Sequence, residues 1–270
     1  MKILVTGDRG FIGGHLARSL SADGHEVVTY EWGEPRFTLS GIEKVCHIGA
    51  ISATTERDVE KVMRQNYDFS CELLDRCMTA GIDFQYSSSA SVYGLNLEFR
   101  EDSPVDPRTP YAWSKYMFER YAAGRQAYAD YNGYTIQGFR YFNVYGPEGE
   151  EHKGSQASPF QQFKSQAQAT GEIRLFENSD QYLRDFVHVS EVVAAHKRFF
   201  QVKESGVWNV GTGQPRSFAS VAEHVAQDYL AKIIEIAMPD VLKSSYQSYT
   251  CADMTKFNNT LKAHNVPNRL

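Results

Sequence analysis

Short apolar runs alternate along this chain with longer amphipathic stretches, the pattern of a parallel sheet covered by helices. Lys2-Ile3-Leu4-Val5 predicts a strand, and after a glycine turn the stretch HLARSLSADG predicts a helix. Glu26–Tyr30 and Lys44–Ile48 predict the next two strands. Only twelve residues, Trp32 to Glu43, precede the later of these. A crossover with its helix takes at least ~10 to 12 residues, so one barely fits and a further strand with its own helix does not. The sheet is therefore expected to be shortened at one edge.

Thr55 to Ala80 reads as a helix carrying Val59, Val62, Met63, Leu73 and Leu74, and Phe84-Gln85-Tyr86 as a strand running into a serine-rich loop, Ser87 to Gly94. Thr109 can cap the next helix, with Pro110 as its first residue and no breaker through SKYMFERYAA. Tyr134 to Pro147 reads as a strand with its exit loop. The polar stretch from Glu148 to Ser158 has no periodicity and marks the passage into a second region. That region is read as a helix over 159–170, strands at Ile173–Phe176 and Asp185–Val189, and a helix to Phe200. A strand at Val207–Val210, an amphipathic helix over 217–231 and a last strand at Ile233–Ile236 complete it.

Composition adds limits. The 270 residues are 42% hydrophobic and 23% charged, enough for one large domain or two modest ones. A net charge of -5 leaves no broad basic surface for nucleic acid. No apolar run approaches the ~18 residues of a membrane span, and Ile3-Leu4-Val5 is too short for a signal peptide, so a cytoplasmic protein without a membrane partner is expected. Cys46, Cys71, Cys77 and Cys251 show no CxxC or zinc spacing and are read as reduced packing residues; the scattered histidines point to no metal.

Chemistry enters at two places. Thr6-Gly7-Asp8-Arg9-Gly10-Phe11-Ile12-Gly13 joins strand to helix, where glycines allow a tight turn, close approach to a pyrophosphate and helix–strand packing. Glu31 follows 18 positions after Gly13, where a carboxylate should meet the adenosine ribose hydroxyls. It argues for NAD, because a carboxylate repels a 2′-phosphate; Arg9 and Arg36 could offset that charge and keep NADP open. The second place is Tyr111 and Lys115, one helical turn apart on one face. A free phenol titrates near ~10, and a cation held close would favour the phenolate and suit it to general-base work. The serine-rich loop ends a parallel strand, where ligands bind, and a serine there can steady a substrate hydroxyl against the tyrosine.

With TGxxGxxG, SSSASVYG and YxxxK in this order and spacing, the chain resembles the extended short-chain dehydrogenase/reductases, enzymes of nucleotide sugars. The likeness spans nearly the whole chain and implies an α/β fold: a Rossmann-type doubly wound parallel sheet with a smaller α/β C-terminal substrate domain. The expected division is 1–147 for the dinucleotide and 148–270 mainly for the substrate, with part of 185–213 returning to the first domain. The resemblance implies Ser89, Tyr111 and Lys115 as the catalytic trio. It places Gly7, Arg9, Gly10, Phe11, Ile12, Gly13, Glu31, Gly49, Ala50, Ile51, Asn66 and Val144 around the cofactor with Tyr111 and Lys115. Arg184 then meets the substrate diphosphate, as a guanidinium can do bidentately. A nucleotide-diphosphate sugar and further copies of the chain, as a homo-oligomer, are the expected partners.

Within the family the heptose epimerases, which act on ADP-L-glycero-D-manno-heptose, are most similar. GAISATTE (49–56), FRYFNVYGP (139–147), HKGS (152–155), LFENS (175–179) and Tyr246 within YQSYT carry this. The likeness makes Lys153 a second acid/base and puts Asn143, Ser155, Gln162, Phe176, Glu177 and Tyr246 at the substrate with Ser89, Lys153 and Arg184. Four departures stand out: Gln162 replaces a histidine, Asp8-Arg9 replaces small residues, the 32–43 connection is short, and Leu270 falls about where those enzymes begin a final helix. A 4-epimerase, a dehydratase and an NADPH-consuming epimerase-reductase are the alternatives. A dehydratase usually adds acid/base residues beside the serine, and Ala90-Ser91 offers no carboxylate. A non-catalytic dinucleotide sensor would not need the whole trio.

Overall fold

The structure is a computed structural model and describes residues 1–35, 37–240 and 247–267. Six parallel strands form the main sheet: β1 (Lys2–Thr6), β2 (Glu26–Tyr30), β3 (Lys44–His47), β4 (Asp83–Ser89), β5 (Ile136–Tyr141) and β10 (Gly206–Val210). Their order is β2-β1-β3-β4-β5-β10. Chain direction reverses its march across the sheet between β1 and β3, so loops at the carboxyl ends of those strands border a crevice suited to ligands.

Alternation along each strand divides the core. Leu4, Val45, Phe84, Tyr86 and Ile136 face one side and pack with Leu73 and Leu74 of α3 (Phe69–Ala80) and Phe118 and Ala122 of α4 (Pro110–Tyr131). Ile3, Val5 and Cys46 face the other, against Leu16 and Leu20 of α1 (Phe11–Ala22) and Val193 of α6 (Val189–Phe199). Helices on both faces make the fold doubly wound.

The described connection after β2 contains no helix, so β2 is a true edge and the expected shortening is seen. One aromatic covers this flank: the Phe37 ring lies 4.5 Å from Tyr30, and Arg76 of α3 stands over it at 4.7 Å while donating to its carbonyl oxygen at 2.9 Å.

Four sequence expectations need correction. The 55–80 helix begins at α2 (Val59–Val62), capped by Asp58, and passes through a π-helical stretch, Met63–Asp68, before α3. The serines 87 to 89 belong to β4 itself; the loop starts with a 3-10 turn, Ala90–Tyr93. After Tyr141 the chain changes partner, because Phe142 still donates to Val210 of β10 while Asn143 donates to Asp185, opening β6 (Asn143–Tyr145). A helix, Thr255–Ala263, follows where none was expected; it buries Phe257 and Leu261 against Phe199 and Trp208.

The remaining elements form a smaller cluster. β7 (Glu172–Phe176) and β12 (Lys232–Ile236) pair in parallel and are covered by α5 (Pro159–Thr170) and α7 (Phe218–Tyr229). β8 (Leu183–Arg184) pairs with β11 (Arg216–Ser217), and β9 (Phe186–His188) with β6. No described helix is long and apolar enough to cross a membrane.

Candidate functional site

The glycine turn is dictated by contact. Gly7 has φ +76°, and a Cβ there would stand 2.4 Å from the Cα of Gly49; a Cβ on Gly13 would stand 2.0 Å from the Gly7 oxygen. No side chain fits either place, so the ends of β1 and β3 and the start of α1 close on each other with Gly10 as cap. Beside them lies a cleft of about 160 Å³ lined by Thr6, Gly7, Glu31, Trp32, Ala50 and Phe69, with Gly49 and Ile51 at its wall. Aromatic walls, bare backbone and a terminal carboxylate suit an adenine nucleotide. One Glu31 oxygen accepts the Arg9 amide at 2.8 Å. The Arg9 guanidinium turns to Glu34, which also accepts the Glu31 amide at 3.0 Å, so Arg9 does not cancel the Glu31 charge. Arg36 lies outside the described residues.

Asn66, at the centre of the π stretch and 2% exposed, is fully engaged. It accepts from the Ile51 amide at 2.8 Å and donates to the Ile51 oxygen at 3.0 Å and to Ser114 Oγ at 3.1 Å. The extra residue per turn aims this amide at the loop after β3, which it clamps to α4. Ile12 and Val144, both partly buried, pack against the core cluster that includes Val192 and Ala195 of α6.

Thr109 accepts the Ala112 amide at 3.1 Å, and the helix it caps carries Tyr111 and Lys115. Tyr111 is half-buried beside Ser89, whose Oγ accepts the Ser91 amide at 3.1 Å. Burial raises the Tyr111 phenol above its ordinary value, and the neighbouring Ser89 hydroxyl works against that rise. Lys115 donates from Nζ to the Ser87 oxygen at 2.9 Å and Ser87 Oγ at 3.0 Å, 5.9 Å from the centroid of the Tyr111 ring. Burial brings its ammonium down to about 8, with Glu119 opposing. The expected lowering of the phenol by the lysine is not seen: burial raises the phenol with only Ser89 opposing, and burial pushes each group toward its neutral form.

Lys153 lies in a 3-10 turn, Glu151–Gln156, with Nζ 4.4 Å from the centroid of Phe11, the first residue of α1. Burial lowers its pKa, and Glu150 opposes the shift. Glu150 holds this turn: 1% exposed, it accepts from the Gly146 amide at 3.2 Å and from Ser158 N and Oγ at 2.6 and 2.9 Å. The sequence placed Glu150 only within a polar stretch without periodicity. Asn143 opens β6, half-buried; the side chain of Ser155 and all of Tyr246 lie outside the described residues.

Other substrate candidates gather elsewhere. Gln162 and Phe176 line a cleft of about 370 Å³ with Arg174, Ser179 and Phe218. Gln162 donates to the Ala157 oxygen at 2.7 Å. Glu177 is exposed just after β7. Arg184 is buried with its guanidinium 5.5 Å from the Phe218 ring; it donates to Leu183 O at 2.9 Å and to Gln247 O. In this state it serves backbone carbonyls. A wider cleft among the described residues, about 900 Å³, contains none of the expected residues; Arg100, Glu101, Arg120, Asp253 and Lys256 line it, with Glu119 and Arg140 at its wall. Size does not make it the better candidate: Ser89, Tyr111 and the buried Lys115 come together at the carboxyl end of β4, where ligands bind in parallel sheets.

The profile of the NAD dependent epimerase/dehydratase family matches residues 3–211. Among solved structures, ADP-L-glycero-D-manno-heptose-6-epimerase of Helicobacter pylori is 26% identical, with a TM-score of 0.83 over 97% of this chain and 90% of that one. An NAD-dependent NDP-hexosamine 5,6-dehydratase of tunicamycin biosynthesis is also 26% identical, with a TM-score of 0.80 over 97% and 91%. UDP-glucose 4-epimerase of Thermus thermophilus, solved with NAD, shares the fold at 24% identity and a TM-score of 0.79 over 100% and 94%. With the family profile across most of its length, a glycine turn closed on β3 and a Ser-Tyr-Lys set at the end of β4, the chain belongs to the NAD dependent epimerase/dehydratase family.

Proposed function

We propose that this protein is an NAD-dependent nucleotide-sugar epimerase acting on ADP-glycero-manno-heptose at its 6 position. The observation that carries this reading is the Lys153–Phe11 contact, which joins a second proton-exchanging group to the helix that opens at the glycine turn. Residues 1–147 hold the cofactor in this reading and 148–270 mainly the sugar. The glycine turn and Glu31 would hold a nicotinamide nucleotide, whose chemistry when bound is reversible hydride exchange with the sugar carbon. Tyr111, oriented by Ser89, exchanges the proton of the sugar hydroxyl, and Lys115 holds the charge beside it. Inversion turns the oxygen toward a new direction, which one fixed phenol serves poorly, so Lys153 exchanges the proton there. Glu31 favours NAD over NADP by charge.

The 26% likeness to the Helicobacter pylori enzyme supports the heptose. The equal likeness to the 5,6-dehydratase favours a second reading, elimination of water, against which stands the lack of a carboxylate in Ala90-Ser91. Turnover of ADP-glycero-manno-heptose in deuterated water separates them. Interconversion of the two epimers with the inverted carbon unlabelled is expected. A product lighter by one water supports elimination, stoichiometric use of added NADPH supports a reductase, and no reaction refutes the heptose assignment.

A further inference from the structure

A glutamate and an arginine outside the chemistry above are buried directly behind it. Tyr111, Lys115 and Glu119 follow one another at successive turns on one face of α4. Glu119, 3% exposed, accepts from Arg140 Nε at 2.9 Å and Nη2 at 2.6 Å, and from the Ser88 hydroxyl. Arg140, 4% exposed, lies opposite Ser88 in the β4–β5 register, with its guanidinium 4.8 Å from the Tyr93 ring. A bidentate ion pair taken out of water is thus tied to the residue before Ser89 and to the helical turn after Lys115.

Buried ion pairs add little net stability over apolar residues of the same shape, so this one calls for another reason. The charged and titratable groups facing Lys115 are His47 from β3 and Tyr111 and Glu119 from α4, while β4 offers the Ser87 oxygens. His47 is buried and neutral, its pKa lowered to about 3 by burial and by Lys115. Glu119 is the carboxylate of this set.

We propose that Glu119, with Arg140 as its counter-charge, is a positioning residue that keeps Lys115 protonated beneath Tyr111 and fixes the Ser88–Ser89 end of β4. The proposal rests on the reading of Tyr111 and Lys115 as the acid/base pair. Glu119 and Lys115 stand one helical turn apart on the same face of α4, both buried, where a charge is poorly screened.

The test is an NMR titration of protein carrying 13C at the lysine ε-carbons, with the Lys115 signal identified by its loss in Lys115→Arg. Glu119→Gln keeps the shape and removes the charge; Lys115 should then bind its proton at least about tenfold more weakly. Because this variant leaves Arg140 without a counter-charge, Glu119→Gln/Arg140→Met is made as well. It should regain thermal stability, yet Lys115 should still bind its proton at least about threefold more weakly than in the wild type. A wild-type Lys115 titration in the well-folded double variant overturns the proposal. The titration needs no substrate, so failure of the epimerase reading appears separately, as an inactive wild type in which Lys115 still responds to Glu119.

Discussion

The Lys153 ammonium stands over the face of Phe11, 4.4 Å from its centroid, so a lysine from the polar stretch after β6 is held by the first residue of α1. Lys153→Met keeps the apolar stem on the ring and removes the proton carrier. Epimerisation should fall at least about a hundredfold with fold and cofactor content unchanged. Near-normal turnover, measured by separating the two epimers, would sink the two-base mechanism.

Lys115 predicts an unusual pH dependence of stability. Its folded pKa, about 8, lies below the ordinary 10.5, so the unfolded chain binds more protons between these values and stability rises with pH across that window. Below about pH 8 the burial cost is complete, roughly 3 kcal/mol less whatever the two bonds to Ser87 return. Lys115→Met should therefore abolish turnover while matching or exceeding wild-type stability at pH 7, with the advantage gone by pH 10.5. Denaturant melts at the two pH values decide it, and a variant markedly weaker at pH 7 would count against the argument.

Gly7 and Gly133 separate contact from backbone strain. Both have positive φ, +76° and +81°, but only Gly7 has backbone within reach of a new Cβ. Gly133→Ala should cost about 1 kcal/mol, the ordinary penalty of a left-handed alanine. Gly7→Ala must in addition part β1 from β3, so we expect it to fail to fold or to bind no nicotinamide nucleotide. Equal losses in the two variants, compared by urea unfolding, would show that the approach to Gly49 is not tight.

Glu31 should set cofactor choice. The nucleotide released from denatured wild-type protein is expected to be predominantly NAD by mass, and Glu31→Ser should narrow the NAD preference at least about tenfold by removing the repulsion of a 2′-phosphate. Recovery of NADP alone from the wild type would overturn the charge argument.

What could be read from the sequence was local. The apolar runs of β1, β3 and β5, the glycine turn and the Tyr111–Lys115 pair depend on neighbours within a few residues, and all are present. Asn66 was singled out only by likeness, because its three bonds reach Ile51 and Ser114, far from it in sequence. The Glu119–Arg140 pair stayed hidden for the same reason, though Glu119 follows Lys115 by one turn. The Thr255–Ala263 helix offers few apolar positions to a periodicity reading; Phe257 and Leu261 become a stripe only against Trp208 and Phe199.

The short connection after β2 changes how this molecule can breathe. Where another strand and helix would have to detach as a cooperative unit, a few side chains of the connection hold the flank, Phe37 against Tyr30 and Arg76 with Leu39 and Ile42 in the same cluster. Local openings that break few contacts lie at the low end of the free-energy scale, well below global unfolding. Amides near Tyr30 should accordingly exchange hydrogen faster than those of β3 and β4, and the cleft lined by Glu31 and Trp32 adjoins this edge.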